Sequence, residues 1–169
     1  MIRNDIFTTP FWYIEGTPQE LVDELYQGAY KLKERYPSEN KSNQGGYQTP
    51  PLEWKNFHPQ GIEYIDKIIG DIFKFKVDGW WYNINGKGHW NIPHVHSDCD
   101  FALVWFLTDS DDLLNLVNPF PYRYNDNKNI VVKAKKKDIV MFPSDIQHFV
   151  MPNQKNTDRV SISMNLQLC

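Results

Sequence analysis

RVSISMN, residues 159–165, sets Arg159, Ser161 and Ser163 against Val160, Ile162 and Met164 in strict alternation. A period of two is the signature of a strand with one polar and one apolar face. The arginine fits two settings. On the inner side of a β-barrel its charge is costly without an anion beside it, and a guanidinium with a neighbouring hydroxyl holds a carboxylate through several hydrogen bonds. On an outward face it is a solvated residue of a half-exposed strand. These seven residues leave both settings open.

Working back from this strand, the segments VDGWWYNIN, IPHVHS, FALVWFLT, LLNLV, NIVVKA, DIVMF and QHFVM are short, β-prone and divided by Gly, Asn, Asp and Pro. Such spacing predicts a mainly β sandwich or barrel. The first 75 residues differ. IFTTPFWYIEG (6–16) reads as an opening strand broken by Pro10. Thr17-Pro18-Gln19-Glu20 reads as a capping box with proline at the first helical position. Leu21, Val22, Leu25, Tyr26, Ala29 and Leu32 then predict a helix over 18–35, ended by Pro37. The polar, Gly- and Pro-bearing stretch 37–59 predicts a long loop. A second amphipathic helix is expected at 60–74, with Ile62, Ile65, Ile68, Ile69, Ile72 and Phe73 inward. Two helices ahead of the strands would cover one outer face of a sheet.

A chain of 169 residues fits one domain with a self-sufficient core. A formal charge of −3 argues against nonspecific nucleic-acid binding. Two cysteines, Cys99 and Cys169, build no disulfide framework, which fits a reducing compartment. No signal-peptide pattern opens the sequence, and no apolar run nears the ~18 residues that cross a bilayer. The expectation is a soluble cytoplasmic protein, with the aromatic-rich first residues offering a homodimer surface.

HWNIPHVHSDCD (89–100) holds three of the five histidines. On a strand, His94 and His96 would project to one face and chelate a divalent ion, given a third ligand. The plainer reading is two surface histidines at a strand end. Continued extension would add Asp98 and Asp100 to that face. His148, 52 residues past His96 and just after the turn at Pro143-Ser144, is the candidate third ligand, against a structural histidine. His89 reads as structural or substrate-facing, His58 as surface, and Cys99 as packing rather than a ligand for a softer metal. Lys133–Lys137 reads as a solvated turn, and Trp80, Trp81, Trp90 and Trp105 as mostly core.

Taken in order, Asn83, Gly88, His94-Val95-His96, Phe142-Pro143-Ser144, His148, Val150, Pro152-Asn153 and RVSISMN resemble the iron(II)- and 2-oxoglutarate-dependent oxygenases. The likeness is to a branch with the pattern HxH, FPS, H, PN, RxSxSxN. It implies a double-stranded β-helix (jelly roll), here with residues 1–75 as helical support and 76–169 as the β core. It implies Fe(II) as cofactor and 2-oxoglutarate and O2 as cosubstrates. His94 and His148 match the metal histidines, Arg159 the residue that clamps the far carboxylate of 2-oxoglutarate, and Ser161 the hydroxyl beside it. Asn83 and Asn85 match polar positions that contact the cosubstrate. Most of the superfamily carries an acid two residues after the first histidine. Here that position is His96, so the third ligand is His96, or Asp98 restores a carboxylate, or two histidines act alone.

The reaction this implies is hydroxylation of an unidentified substrate, with release of succinate and CO2. Segments 108–129 and 37–59, the latter through Tyr47, Trp54 and Phe57, are expected to border the pocket. A cupin-type three-histidine dioxygenase without 2-oxoglutarate is a rival, against which the Arg159–Ser161 pair stands. A non-catalytic jelly-roll module with structural zinc is another, and requires four filled positions.

Overall fold

The computed structural model describes residues 8–119 and 129–169. Its elements are β1 (Trp12–Ile14), α1 (Gln19–Arg35), β2 (Asn43–Gln44), β3 (Tyr47–Gln48), a 3-10 turn (Trp54–Asn56), α2 (Pro59–Ile69), β4 (Phe75–Asn85) and β5 (Trp90–His94). They continue with β6 (Phe101–Phe106), β7 (Leu114–Leu116), β8 (Ile130–Val131), β9 (Ile139–Pro143), β10 (His148–Val150) and β11 (Arg159–Leu168). Every segment read as a strand after residue 75 contains one. The strands form two antiparallel sheets, in the orders β1-β9-β6-β11-β4-β3 and β2-β5-β10-β7-β8. From β4 onward the chain winds between them: β4, β6, β9 and β11 lie in the larger sheet, β5, β7, β8 and β10 in the smaller.

The alternation of the final strand decides what each face of the larger sheet meets. Val160, Ile162, Met164 and Leu166 are fully buried. They share one core with Leu21, Val22, Leu25 and Ala29 of α1, Ile65 and Ile69 of α2, and Trp80, Tyr82 and Ile84 of β4. Truncating one of these large side chains to alanine costs about 2–5 kcal/mol. Val104, Phe106, Val140 and Phe142 point the other way and meet Leu114 and Leu116 of the smaller sheet in a second core. The space between the sheets is therefore apolar toward β7, and polar where β4 and β11 face β5 and β10.

The first half departs from expectation in several places. Helix α1 begins at Gln19, with Pro18 as an extended N-cap and no side-chain capping bond. Thr17 is instead drawn into a tertiary contact: its N–H donates to Lys137 O at 3.0 Å, and its hydroxyl is enclosed without a partner. Helix α2 starts at Pro59 and stops at Ile69, not 74. Ile72 is left 45% exposed, while Phe73 stacks on Phe101 with ring centroids 5.2 Å apart. Phe73 therefore packs inward from non-helical backbone, which made the periodicity look continuous. The opening strand is only Trp12–Ile14, with residues 6 and 7 outside the described residues.

The expected loop 37–59 contains β2 and β3, which pair with β5 and β4 and so join one edge of each sheet. Their turn needs its glycines: Gly45 has φ of 75°, and a Cβ on Gly46 would stand 1.9 Å from Asn85 Oδ1. Trp54 and Phe57 stack at 5.0 Å, and with Tyr47 they pack in the helix-side core; the segment borders the site cavities through Lys41, Ser42, Gln48 and Pro51 instead. In segment 108–129, β7 forms, and residues 120–128 lie outside the described residues. No helix among the described residues is long and apolar enough to cross a membrane.

Candidate active site

His94 closes β5 and His148 opens β10, and the register places them directly opposite one another. Their ring centroids are 4.2 Å apart. Strand β5 ends at His94, so alternation along one strand does not deliver His96. A longer-range bond does: His96 N–H donates to Ser144 O at 3.0 Å, tying it to the turn between β9 and β10. Its ring lies 5.5 Å from that of His94 and 5.0 Å from that of His148. One donor nitrogen from each of the three falls within 4.8 Å of the others.

Each imidazole is held by its Nδ1. His94 bonds Ile92 O at 2.8 Å and His148 bonds Ile146 O at 3.0 Å. Carbonyls only accept, so in both rings Nδ1 carries the proton and Nε2 keeps its lone pair. His96 Nδ1 lies 2.7 Å from Asn165 Oδ1, which orients that ring in the same sense, and Trp81 packs against it at 5.4 Å. Burial pushes all three below the ordinary histidine range. His148 falls to about 3, through burial and then the neighbouring rings, and His96 to about 4, through burial opposed by the Asn165 bond. His94 is lowered by burial against its Ile92 bond. Neutral rings with free, oriented nitrogens are the donor set a divalent ion requires.

Among the described residues no carboxylate or thiol joins this cluster. Asp98 is exposed, in left-handed backbone with φ of 61°. Cys99 contributes only its carbonyl, which accepts from Ser144 Oγ. His89 is structural: its Nδ1 accepts from Gly86 N–H at 3.1 Å. His58 pairs with Glu24 at 2.6 Å, clipping α2 to α1.

Across the cavity stands Arg159. On β11, Arg159 lies opposite Asn85, Ser161 opposite Asn83, and Ser163 opposite Trp81. Arg159, Ser161, Ser163 and Asn83 line one narrow cavity together with His94 and His148. Of the two settings the sequence left open for the arginine, the structure takes the inner one. Arg159 is 6% exposed and has no ion-pair or hydrogen-bond partner for its guanidinium among the described residues. Burial pushes its pKa down to about 10, against the attraction of Asp111. A desolvated cation with unused donors is suited to holding an anion.

Asn83 donates to Ser163 Oγ at 3.0 Å on the cavity wall. Asn85, expected to touch the cosubstrate, does not line the cavity: it is fully buried and donates to Asn91 Oδ1 at 2.9 Å. The β2–β3 turn walls it off at Gly46. Sequence reasoning gave no role to Asn165 or Asn153. Asn153 Nδ2 bonds Asn85 O and Thr157 O at 2.9 and 2.8 Å, joining the end of β4 to the loop that delivers Arg159. A wider cleft of about 460 Å³ shares Trp81 and His94 with the narrow cavity and adds His96.

Three oriented imidazoles and a buried guanidinium thus share one interior. A family model described as "Putative 2OG-Fe(II) oxygenase" matches residues 79–165, just over half of the chain. The chain belongs to this family. Its cofactor is iron(II), and its cosubstrates are 2-oxoglutarate and O2.

Solved structures share the fold of this oxygenase at low identity. A Pseudomonas putida prolyl-4-hydroxylase is 14% identical, with a TM-score of 0.72 over 96% of this chain and 94% of that one. HygX from Streptomyces hygroscopicus, with nickel and 2-oxoglutarate bound, is 11% identical, with a TM-score of 0.67 over 95% and 84%. The non-heme alpha ketoglutarate dependent epimerase SnoN from nogalamycin biosynthesis is 12% identical, with a TM-score of 0.71 over 93% and 77%. No curated protein sequence matches the chain.

Proposed function

We propose that this oxygenase is a hydroxylase in which His94, His96 and His148 hold the metal, while Arg159 and Ser161 grip the far carboxylate of 2-oxoglutarate. The observation that carries the reading is Arg159, buried and unpaired in the cavity that His94 and His148 also line. Its fork would hold one carboxylate through two hydrogen bonds, with Ser161 and Asn83 adding polar contacts from the facing strand. The winding of the eight strands from β4 to β11 supports a double-stranded β-helix, and the shared helix-side core supports a single domain with the described part of residues 1–75 as its buttress.

When bound, iron supplies the oxidative decarboxylation of 2-oxoglutarate by O2, giving succinate and CO2, and the oxidation of a substrate C–H bond. The protein's share is orientation and exclusion of water. Asn165 and the Ile92 and Ile146 carbonyls fix the three rings, and three neutral ligands leave the ion's double charge for the cosubstrate dianion to offset. Hydroxylation is favoured over epimerisation because, among the described residues, neither cavity is lined by a tyrosine or cysteine able to return a hydrogen atom. A structural zinc module is disfavoured because, among the described residues, the cluster offers three protein ligands, not four. The test is turnover: wild-type protein with iron(II), 2-oxoglutarate and O2 forms succinate, and His148→Ala does not. Succinate formation that survives His148→Ala removes that residue from the centre, and a substrate product lacking label from 18O2 removes the hydroxylase reading.

A further inference from the structure

The wider cleft beside His94 and His96 has chemistry of its own. Among the described residues no acid lines it, and Lys41, exposed and without a described ion-pair partner, stands at its edge. Gln48 reaches it from β3, opposite Asn83 in register, and is only 4% exposed. The Gln48 carboxamide makes no hydrogen bond among the described residues, and its Oε1 is enclosed without a partner. Buried amides are almost always satisfied, and with Oε1 enclosed it is the idle Nε2 that marks a position for a ligand acceptor in the cleft. Pro51, Trp81, Ile92 and Val95 supply apolar wall, with Ile92 36% and Val95 50% exposed.

We infer that this cleft binds the substrate, and that the substrate is a small apolar carboxylic acid carrying a planar amide, of the N-acylated amino-acid type. The inference rests on the neighbouring cavity being the 2-oxoglutarate and iron site. With its Oε1 enclosed, Gln48 offers the Nε2 hydrogens alone, donors that match the carbonyl of a ligand amide. Lys41 at the edge matches a carboxylate, and the wall from Pro51 to Val95 matches an apolar side chain. A cationic amide finds Lys41 and no acid. A cleft of about 460 Å³ suits a ligand of this size. The C-terminus of a peptide carries the same groups, so both sources enter the test.

The experiment uses the full chain loaded with 2-oxoglutarate and with zinc, which is redox-silent and leaves NMR signals sharp. It follows the Gln48 side-chain NH2 and the Arg159 Nε–H signals, identified through Gln48→Leu and Arg159→Met. The probes are N-acetyl-leucine, N-acetyl-leucinamide, leucinamide and a hexapeptide ending in leucine. Adding 2-oxoglutarate moves the Arg159 signal. N-acetyl-leucine then moves the Gln48 signal, binding about five-fold more tightly than N-acetyl-leucinamide, and leucinamide does not. Lys41→Ala, a surface change, erases the preference for the carboxylate, and Gln48→Leu weakens N-acetyl-leucine by about five-fold or more. Tighter binding of the hexapeptide assigns a peptide terminus, and weaker binding assigns the free acid. If Arg159 responds while no probe moves Gln48, or if Lys41→Ala keeps the preference, the inference is overturned and the cosubstrate site stands. If Arg159 is silent to 2-oxoglutarate, the cosubstrate reading itself falls.

Discussion

Replacing Arg159 with methionine removes a charge from the interior while keeping much of its volume. A fall from the ordinary 12.5 to about 10 corresponds to roughly 3 kcal/mol against the charged form in the folded state. At neutral pH the arginine is charged whether folded or not, so this cost burdens the ligand-free protein and disappears in the variant. Some is returned through imperfect packing, leaving a net gain of about 1–2 kcal/mol and a Tm roughly 2–6 °C higher for a domain of this size. Binding moves the other way. Losing a two-pronged charge-assisted contact costs about 3–4 kcal/mol, or 10²- to 10³-fold in the Kd for 2-oxoglutarate. Iron affinity stays unchanged, because Arg159 is not one of the cluster's donors. Differential scanning calorimetry of the metal-free protein gives the first quantity, and anaerobic titration of the iron-loaded protein the second. A variant that melts earlier and binds 2-oxoglutarate as well as the wild type refutes an anion-binding role for Arg159.

Asn165→Ala frees the ring of His96 and is expected to weaken metal binding about 10- to 100-fold while leaving the fold intact, measured by competition with a chelator. Unchanged affinity would mean that His96 needs no outside orientation. The histidines also set an acid limit. Unfolded, His96 and His148 take protons below their ordinary 6.5, and folded they refuse them until about 4 and about 3. Metal-free protein therefore keeps its stability above pH 6.5 and loses about 1.4 kcal/mol per pH unit for each of these histidines as pH falls toward 5. A urea midpoint that stays flat between pH 6.5 and 5 contradicts their burial.

The β half was legible because its code is local. The alternation of Val160, Ile162 and Met164 with Arg159, Ser161 and Ser163 specified a two-faced strand, and the structure faces one set to the helices and the other to a cavity. The three histidines were legible through type and spacing, although His96 arrives by its bond to Ser144 rather than by strand alternation. Long-range contacts were not legible. Thr17 has the sequence of a cap but spends its N–H on Lys137, and Phe73 has helical spacing but packs from beyond the end of the helix. Strands of two residues, β2 and β3, carry no period to read, and with them went the position of Gln48 and the fate of Asn85. The roles of Asn153 and Asn165 depend on partners 68 and 69 residues away.

Whether the imidazole cluster and the guanidinium serve one centre is read by absorption under anaerobic conditions. Protein, iron(II) and 2-oxoglutarate mixed without O2 should give a visible charge-transfer band that needs all three components. His148→Ala should abolish it, and Arg159→Met should demand far more 2-oxoglutarate to reach it. No band with the wild-type protein, or one of full strength in His148→Ala at the same concentrations, would contradict a shared centre.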